Sequence, residues 1–336
     1  MTKKQIFIVF FYCILGILLF FIGGIISLLS AFVSISMYSI IFFGIYFYWK
    51  KSIKKTPLFF IDFLWIFLYK TSFFLILCVG IIGSFSYYQN EISPAYMPFY
   101  TISNGKKIIK FQTMIHIGTP HFYEKVRKNI KIAKDEGYVL FFEGVRPGKE
   151  ENMKKFDEAL GINFTPTLYE NFSRLYGLTF QDNIYFLELV NNYDFNIDLS
   201  IDEIIKLYEK IGKNKKNNTL PKEIQDVDSI VIEELSKLND KELQILIYIN
   251  QAIMNFIIKN DSLQKSFLKE FGNEALFEVI LNKRNGLLVE NIEKSKYDKI
   301  FITYGLLHFE GVLEKLKKID KNRKIIKKEY LYPIRN

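Results

Sequence analysis

The strongest constraint in the sequence is a long segment without charge: residues 5–49 contain no Asp, Glu, Lys or Arg. As a single helix these 45 residues would be about 67 Å long, roughly twice the thickness of the hydrocarbon core of a bilayer. The segment therefore predicts two membrane spans, near residues 5–26 and 31–49, joined by a turn at Ser27–Ser30. Such a chain is not a purely soluble protein.

A further apolar region follows. The run Thr71–Tyr88 has the right length for a third crossing. The preceding segment, Pro57–Tyr69, has only 13 residues and contains Asp62, which favours a helix lying in the membrane interface. The same residues also fit a longer, tilted span. The pattern thus leaves open whether residues 57–88 cross once or twice.

Lysine residues predict the orientation of these spans. No Lys or Arg follows the third run until Lys106, whereas the other ends of the runs are flanked by Lys3, Lys4, Lys50, Lys51, Lys54 and Lys55. By the positive-inside rule, the amino terminus is cytoplasmic. With three crossings the chain is a multi-pass protein of the cell membrane. Its partner is the lipid bilayer, and residues 89–336 lie outside the cytoplasm.

The net charge of +9 comes mostly from the lysines of the membrane region. Residues 1–88 carry seven Lys and one Asp, so +6 of the +9 belongs to the membrane region and +3 remains for residues 89–336. The basicity therefore marks membrane flanks, and no nucleic-acid partner is expected. Both cysteines, Cys13 and Cys78, lie in apolar runs. This excludes a disulfide framework or a cysteine metal site in the polar region.

Residues 89–336 begin with a strand–helix–strand pattern. Lys107–Ile115 is rich in β-branched and aromatic residues and predicts a strand. Thr119 and Pro120 are typical of the cap and first residue of a helix. Tyr138–Phe142 is then a short apolar run that predicts a buried strand.

The same order returns near the carboxyl terminus. Lys299–Tyr304 predicts a strand, Gly305–His308 a turn before a helix, and the region near Arg323–Tyr330 a further strand. Residues 150–290 between the two halves are mostly helical by pattern. The predicted fold is a mixed β-sheet domain of the α/β class with a large helical insertion at about 150–290. A transmembrane anchor of residues 1–88 precedes it.

Polar side chains follow three of the predicted strands. His116, Glu143 and His308 each stand just past a strand end. Because ligands bind at the carboxyl ends of strands in open α/β sheets, we expect these side chains to converge on one cavity. The remaining histidine, His121, lies one turn into a helix and is expected at the surface.

The segments around these residues are HIGTPHFYEKV, EGVRPG, RNGLLVENI and ITYGLLHFEGVLEKLKK. Their pattern resembles the TraB/PrgY/GumN group, which includes the animal Tiki proteases and is distantly similar to erythromycin esterase and the ChaN-like proteins. That group is marked by two Gly-x-x-His motifs, a Glu after the second strand and an Arg before the second motif. The resemblance covers residues from about 105 to 330.

The motif positions map onto this chain residue by residue. The second Gly-x-x-His motif is Gly305–His308, the Glu maps to Glu143, and the Arg maps to Arg284, with Arg146 as the competing candidate. The first motif is Thr113–His116, in which Thr113 stands where Gly is expected. A Thr at this position would narrow the approach of a substrate or a metal ion.

The resemblance implies a metal-dependent hydrolase that acts on a peptide or a small ester. A divalent ion of open identity would be held by His116, Glu143 and His308 and would activate water. Arg284 would stabilise the oxyanion, and Glu143 would be either a ligand or the general base.

Two alternatives remain open from the sequence. One is a metal-independent, esterase-like enzyme with a histidine base, as the resemblance to erythromycin esterases implies. The other is a membrane protein that binds or sequesters a peptide with little or no turnover, which Thr113 favours. A serine hydrolase, a P-loop enzyme and a dinucleotide enzyme are disfavoured, because their motifs are missing from the sequence.

The lysine pattern makes a testable prediction about topology. Protease added to intact spheroplasts should digest residues 89–336, because three crossings place them outside the cytoplasm. A soluble cytoplasmic protein in the same sample serves as the control and should stay intact until lysis. Protection of residues 89–336 until lysis would contradict the prediction and would mean that residues 57–88 cross an even number of times.

Overall fold

The structure is a computed structural model that describes residues 1–53, 59–161, 167–215, 226–271 and 274–335. The chain forms two compact units, each with its own internal contacts. Unit 1 consists of Met1–Tyr87 and Ser236–Ile249, and unit 2 of Tyr88–Leu235 and Asn250–Asn336.

Helix α1 (Lys3–Ile53) is two helices joined at a break. Gly24 has φ 70° and ψ −162°, a conformation that favours glycine. A Cβ atom at Gly16 would lie 3.4 Å from Cδ1 of Leu28, whereas twelve residues of straight helix would separate them by about 18 Å. The chain therefore reverses at Gly24. The predicted turn at Ser27–Ser30 was placed too late, because the reversal uses the glycine with positive φ.

Residues at the start of a later helix satisfy carbonyl groups next to this break. The side-chain amide of Asn239 donates through Nδ2 to the carbonyl of Ile22 at 2.9 Å, and Nζ of Lys241 donates to the carbonyl of Phe21 at 2.7 Å. The break removes the helical partners of these carbonyls, and an unpaired carbonyl in apolar surroundings is costly. The segment Ser236–Ile249 thus stabilises the reversal at Gly24.

Helix α2 (Phe60–Tyr87) has 28 residues and is about 42 Å long. It packs by aromatic contacts on both halves of α1. The rings of Phe7 and Phe73 lie 5.5 Å apart, and those of Phe43 and Phe63 lie 5.4 Å apart. Of the two readings of this region, the single longer helix is therefore the one observed.

Two helical stretches are long and apolar enough to cross a membrane, judged by length and composition: Lys3–Lys50, which contains the Gly24 break, and Phe60–Ile92. Only 6% of the most apolar window of each stretch is buried inside protein, unlike the core helix of a soluble protein. Lys54, Lys55 and Pro57 lie outside the described residues.

Unit 2 is built on strands that the sequence pattern located in part. The strands are β1 (Met97–Ser103), β2 (Ile108–Met114), β3 (Ile117–Gly118), β4 (Val139–Phe142), β5 (Thr179–Phe180), β6 (Phe195–Asn196), β7 (Lys299–Gly305) and β8 (Lys324–Leu331). Six of them form a mixed sheet in the order β6-β4-β7-β2-β1-β8, and β3 pairs with β5. The prediction of a mixed α/β sheet domain is confirmed.

The remaining helices lie mostly between β4 and β7. They are α3 (Pro120–Asp135), α4 (Glu150–Leu160), α5 (Leu168–Leu175), α6 (Asn183–Leu187), α7 (Ile201–Lys215), α8 (Val227–Ser236), α9 (Asp240–Ile258), α10 (Asp261–Phe271), α11 (Glu274–Phe277), α12 (Arg284–Lys294) and α13 (Phe309–Ile319). The predicted helical insertion is thus mainly helical. It also carries β6, which extends the sheet.

Parallel pairing brings the site together. β2 and β4 both run parallel to β7, and β6 runs parallel to β4, with Met114 opposite Gly305 and Phe142 opposite Thr303. The carboxyl ends of β2, β4 and β7 therefore meet at one edge of the sheet. Between β2 and β4, helix α3 begins at the predicted cap, where the Thr119 hydroxyl accepts a hydrogen bond from the Phe122 amide.

Helices cover the sheet on both faces. One core contains Phe122, Val126 and Ile130 of α3 with Leu140 and Phe301 of the sheet. The other core joins residues of α12 and α13 to the opposite face of the same strands: Leu288, Ile292, Val312 and Leu316 against Phe111, Ile300 and Ile302. Burial on both faces makes the central strands rigid supports for the residues at their ends.

Candidate active site

Glu143 is held at the end of β4 through both of its carboxylate oxygens. Its backbone N–H continues the sheet by donating to the carbonyl of Thr303 at 3.0 Å. Oε2 accepts a hydrogen bond from the N–H of Gly305 at 2.5 Å, and Oε1 accepts one from Nη2 of Arg284 at 2.6 Å. The carboxylate is therefore fixed between β4, β7 and α12.

Arg284 is a buried cation shared by two carboxylates. Its Nε and Nη2 each donate to Asp198 at 2.6 Å, and Nη2 also donates to Glu143. Asp198 also accepts hydrogen bonds from the N–H groups of Gly144 and Leu199. Burial opposes the charge on Arg284, but the two carboxylates outweigh it and raise its pKa. The guanidinium is permanently charged and rigidly placed.

The backbone before Arg284 departs from regular helix. Residues Glu278–Lys283 form a π-helical turn, and Arg284 follows it directly as the first residue of α12. Short π-helical turns shift the register of the side chains that follow them and are frequent at functional sites. Here the turn precedes the one arginine that reaches both Asp198 and Glu143.

His308 has a buried imidazole, and one of its ring nitrogens forms a hydrogen bond with a neighbouring side chain. Nδ1 lies 2.7 Å from Oδ1 of Asn285, and Nε2 lies 3.8 Å from Oε1 of Glu143. Burial lowers the pKa of His308 to about 4; Glu143 opposes this shift and the charge on Arg284 adds to it. At neutral pH the ring is therefore neutral. With the Nδ1 proton donated to Asn285, the lone pair of Nε2 faces Glu143.

His116 follows β2 and is accessible to solvent. Desolvation by the surrounding protein lowers its pKa; the carboxylate of Glu143 opposes the shift, and Arg284 adds to it. Its ring lies 5.4 Å from the ring of Tyr169, which is stacked on Phe180 at 5.0 Å. His116 thus lies within electrostatic reach of the buried cluster on a side that solvent can enter.

The structure brings together Glu143, Arg284 and His308 by direct contact or close approach, with His116 beside them. The competing arginine, Arg146, and the remaining histidine, His121, are not part of this group. Arg146 is exposed and donates to Glu203 and to the backbone carbonyl of Asp198. His121 is exposed on α3.

Sequence reasoning missed three residues of this cluster. Asp198 follows β6, which has only two residues and gives no strand signal. Tyr169 lies in the helical insertion, and the pKa of its hydroxyl is raised by burial and by the charge of Glu143. Asn285 follows Arg284 directly, so the motif that pointed to the arginine could also have pointed to the amide.

Thr113 has a structural partner. Its side chain is buried, and its hydroxyl donates to the backbone carbonyl of Pro98 on β1 at 2.7 Å. The hydroxyl therefore links two neighbouring strands just behind the strand end from which His116 projects.

The cluster can be tested for its fit to a metal ion by its donor atoms. Two neutral imidazoles and a carboxylate are suitable ligand types for a divalent ion. However, both oxygens of Glu143 already accept hydrogen bonds, and the oxygen nearest His308 is 2.6 Å from a guanidinium cation. Within the described ranges, no group of three His, Cys, Asp or Glu residues could hold a metal ion. The side chains as arranged therefore do not fit a bound ion.

Comparison of the chain with protein-family models, with curated proteins and with solved structures finds no match. The resemblance to the TraB/PrgY/GumN group therefore depends on the motif residues alone. The relevant residues are Glu143, Arg284 and the Gly305–His308 turn.

Gly305 packs tightly against Glu143 and His308. A Cβ atom there would lie 3.3 Å from Oε2 of Glu143 and 3.4 Å from Cδ2 of His308. We expect Gly305→Ala to lower the free energy of unfolding by about 1–3 kcal/mol, as overpacking of a rigid site does. Gly286→Ala is the matched control, since nothing lies within 4 Å of a Cβ there. Urea unfolding of the full-length protein in micelles measures both, and equal effects would contradict the close approach at Gly305.

The low pKa of His308 predicts a pH dependence of stability. Below pH 6.5, the ordinary pKa of histidine, the imidazole is protonated in the unfolded chain. In the folded chain it stays neutral until about pH 4. Stability should therefore fall as pH falls through this window, by about 2 kcal/mol between pH 7 and pH 5 from this residue. His308→Gln should remove most of that difference in urea unfolding. An unchanged pH dependence in the variant would show that His308 is not the buried neutral group.

Proposed function

We propose that unit 2 is a hydrolase of peptide or ester bonds in which His308 activates the attacking water. The observation that carries the proposal is the 2.7 Å contact between Nδ1 of His308 and Oδ1 of Asn285. It fixes the ring so that the Nε2 lone pair faces the ion pair of Glu143 and Arg284. A general base needs this combination of a neutral ring, a fixed tautomer and a lone pair directed into the site.

The reaction would proceed by addition and elimination at the carbonyl carbon. Nε2 of His308 accepts a proton from water as the water oxygen bonds to that carbon, and the carbonyl oxygen takes up the negative charge. The tetrahedral intermediate then expels the amine or alkoxide, which receives the same proton from Nε2. Glu143, 3.8 Å from Nε2, stabilises the imidazolium that forms between the two steps.

Arg284 would serve this reaction in two ways. It holds Glu143 through Nη2 at 2.6 Å, which fixes the carboxylate beside His308. Its Nη1 donates to neither Glu143 nor Asp198, and this N–H group would serve a developing oxyanion. Fixed charge of this kind costs little reorganisation during the reaction.

We also propose that unit 1 anchors the protein in the cell membrane by three crossings, formed by the two halves of α1 and by α2. The Gly24 reversal supports this count. The contacts of Asn239 and Lys241 with Ile22 and Phe21 support the side of the membrane on which the reversal is placed. Because both donors belong to the polar part of the chain, the reversal lies on the side to which that part is translocated. The hydrolase site is then extracytoplasmic.

Activity measurements test the proposed hydrolase. The full-length protein in micelles should cleave members of a peptide library or a set of simple esters, and His308→Ala should abolish cleavage. Asn285→Ala should lower the rate by about 10–100-fold, the usual effect of losing the partner that orients a functional histidine. His121→Ala is the control and should be unchanged, because His121 is exposed outside the cluster.

Chelation separates the proposed mechanism from its metal-dependent variant. Cleavage by the histidine base should survive exhaustive treatment with a chelator. Loss of cleavage on chelation, restored by a divalent ion, would mean that Glu143 releases Arg284 to bind metal. Tight peptide binding without cleavage in any assay would instead favour a sequestering protein, and full activity of His308→Ala would contradict the site.

A further inference from the structure

Unit 1 contains a large cavity of about 1070 Å³ between the two halves of α1 and helix α2. Leu15 and Leu19 line it from the first half of α1, Phe42 from the second half and Phe74 from α2. Its volume exceeds the range of about 300–1,000 Å³ that is typical of pockets for small ligands. The lining and the volume together suit a long-chain amphiphile.

Among the described residues, one cation lines this cavity. Lys70 is the basic residue of α2, about 15 Å along the helix from Phe60 and about 26 Å from Tyr87. It forms no hydrogen bond and no ion pair with any residue in the described ranges. A lysine among apolar helices is costly without a counter-ion. A negative group near Lys70 would neutralise this charge.

Other positive groups lie at the same level of the helices. Nζ of Lys4 lies 5.4 Å from the centre of the Tyr69 ring, next to Lys70 in sequence. Helix α1 begins at Lys3, so its first free N–H groups also contribute positive potential at this level. Basic pockets between transmembrane helices on the cytoplasmic side bind anionic lipid headgroups.

We propose that the cavity binds one anionic phospholipid of the cytoplasmic leaflet, with its phosphate at Lys70 and an acyl chain along Leu15, Leu19 and Phe74. This site depends on the membrane placement proposed above and is independent of the hydrolase chemistry. Neutral phospholipids share the acyl chains but carry no net charge to neutralise Lys70. The site is therefore selective for the net negative charge of the lipid.

A tryptophan in the cavity wall allows a direct test. The chain has two tryptophans, and Trp49 packs beside Tyr46, which contacts Phe63 on the other side of Lys70 from the proposed acyl chain. Trp49→Phe and Trp65→Phe together remove both, and Phe74→Trp then places a single reporter in the cavity wall beside that chain. This variant of the full-length protein is reconstituted into phosphatidylcholine vesicles that contain a small fraction of lipid with brominated acyl chains. Bromine quenches an indole that it touches. The brominated lipid is either phosphatidylglycerol or phosphatidylcholine, at equal mole fraction.

We expect brominated phosphatidylglycerol to reach the reporter at position 74 with about fivefold preference over brominated phosphatidylcholine, the selectivity that one lysine near an anionic lipid supplies. Lys70→Gln should abolish the preference, and Lys70→Arg should keep it. Lys50→Gln is the matched control, because it removes a lysine that stacks on Tyr46 and does not line the cavity. It should leave most of the preference in place.

Three results would overturn the proposal. Equal quenching by the two lipids would show that the cavity does not select charge. A preference that persists in Lys70→Gln would place the headgroup elsewhere. Absence of quenching by either lipid would mean that the cavity does not face the bilayer, and it would also remove the membrane placement. Failure of the hydrolase assays, by contrast, would leave the lipid site untouched.

Discussion

The buried ion pairs of Arg284 organise unit 2 around its site. One guanidinium binds Asp198 and Glu143 at 2.6 Å, and these residues follow β6 and β4. It thereby joins the start of α12 to the ends of two neighbouring strands. Removing one member of such a buried group leaves an uncompensated charge, which is far more costly than never burying the group. The arrangement therefore holds only when all three ionised groups are in place.

The sequence predicted the parts of this arrangement that follow strong periodic patterns. The strand–helix–strand order around Thr119, the strand before Glu143 and the turn before His308 all lie within a residue or two of their predicted positions. The missed parts have no local pattern. β1 begins with Met97-Pro98, and β6 has two residues, so Asp198 is brought to Arg284 by tertiary pairing that the chain encodes only at long range.

The same contrast holds in unit 1. Composition alone predicted apolar helices there, because a charge-free run of residues 5–49 has few other stable structures. The position of the reversal was not predicted, because the prediction relied on serine as a turn residue. The chain reverses instead at a glycine that adopts positive φ. Gly24 has no side-chain neighbour within 4 Å of its missing Cβ, so its backbone conformation, not crowding, explains why glycine stands there.

The hydrogen bonds at this reversal have a consequence for synthesis. Asn239 and Lys241 donate to carbonyls that precede them by 217 and 220 residues. While the ribosome makes the chain, the first apolar helices emerge long before their two donors exist. Until then, the surrounding solvent must satisfy the carbonyls of Phe21 and Ile22. The helical hairpin around Gly24 is thus completed late, by a segment that is translated after it.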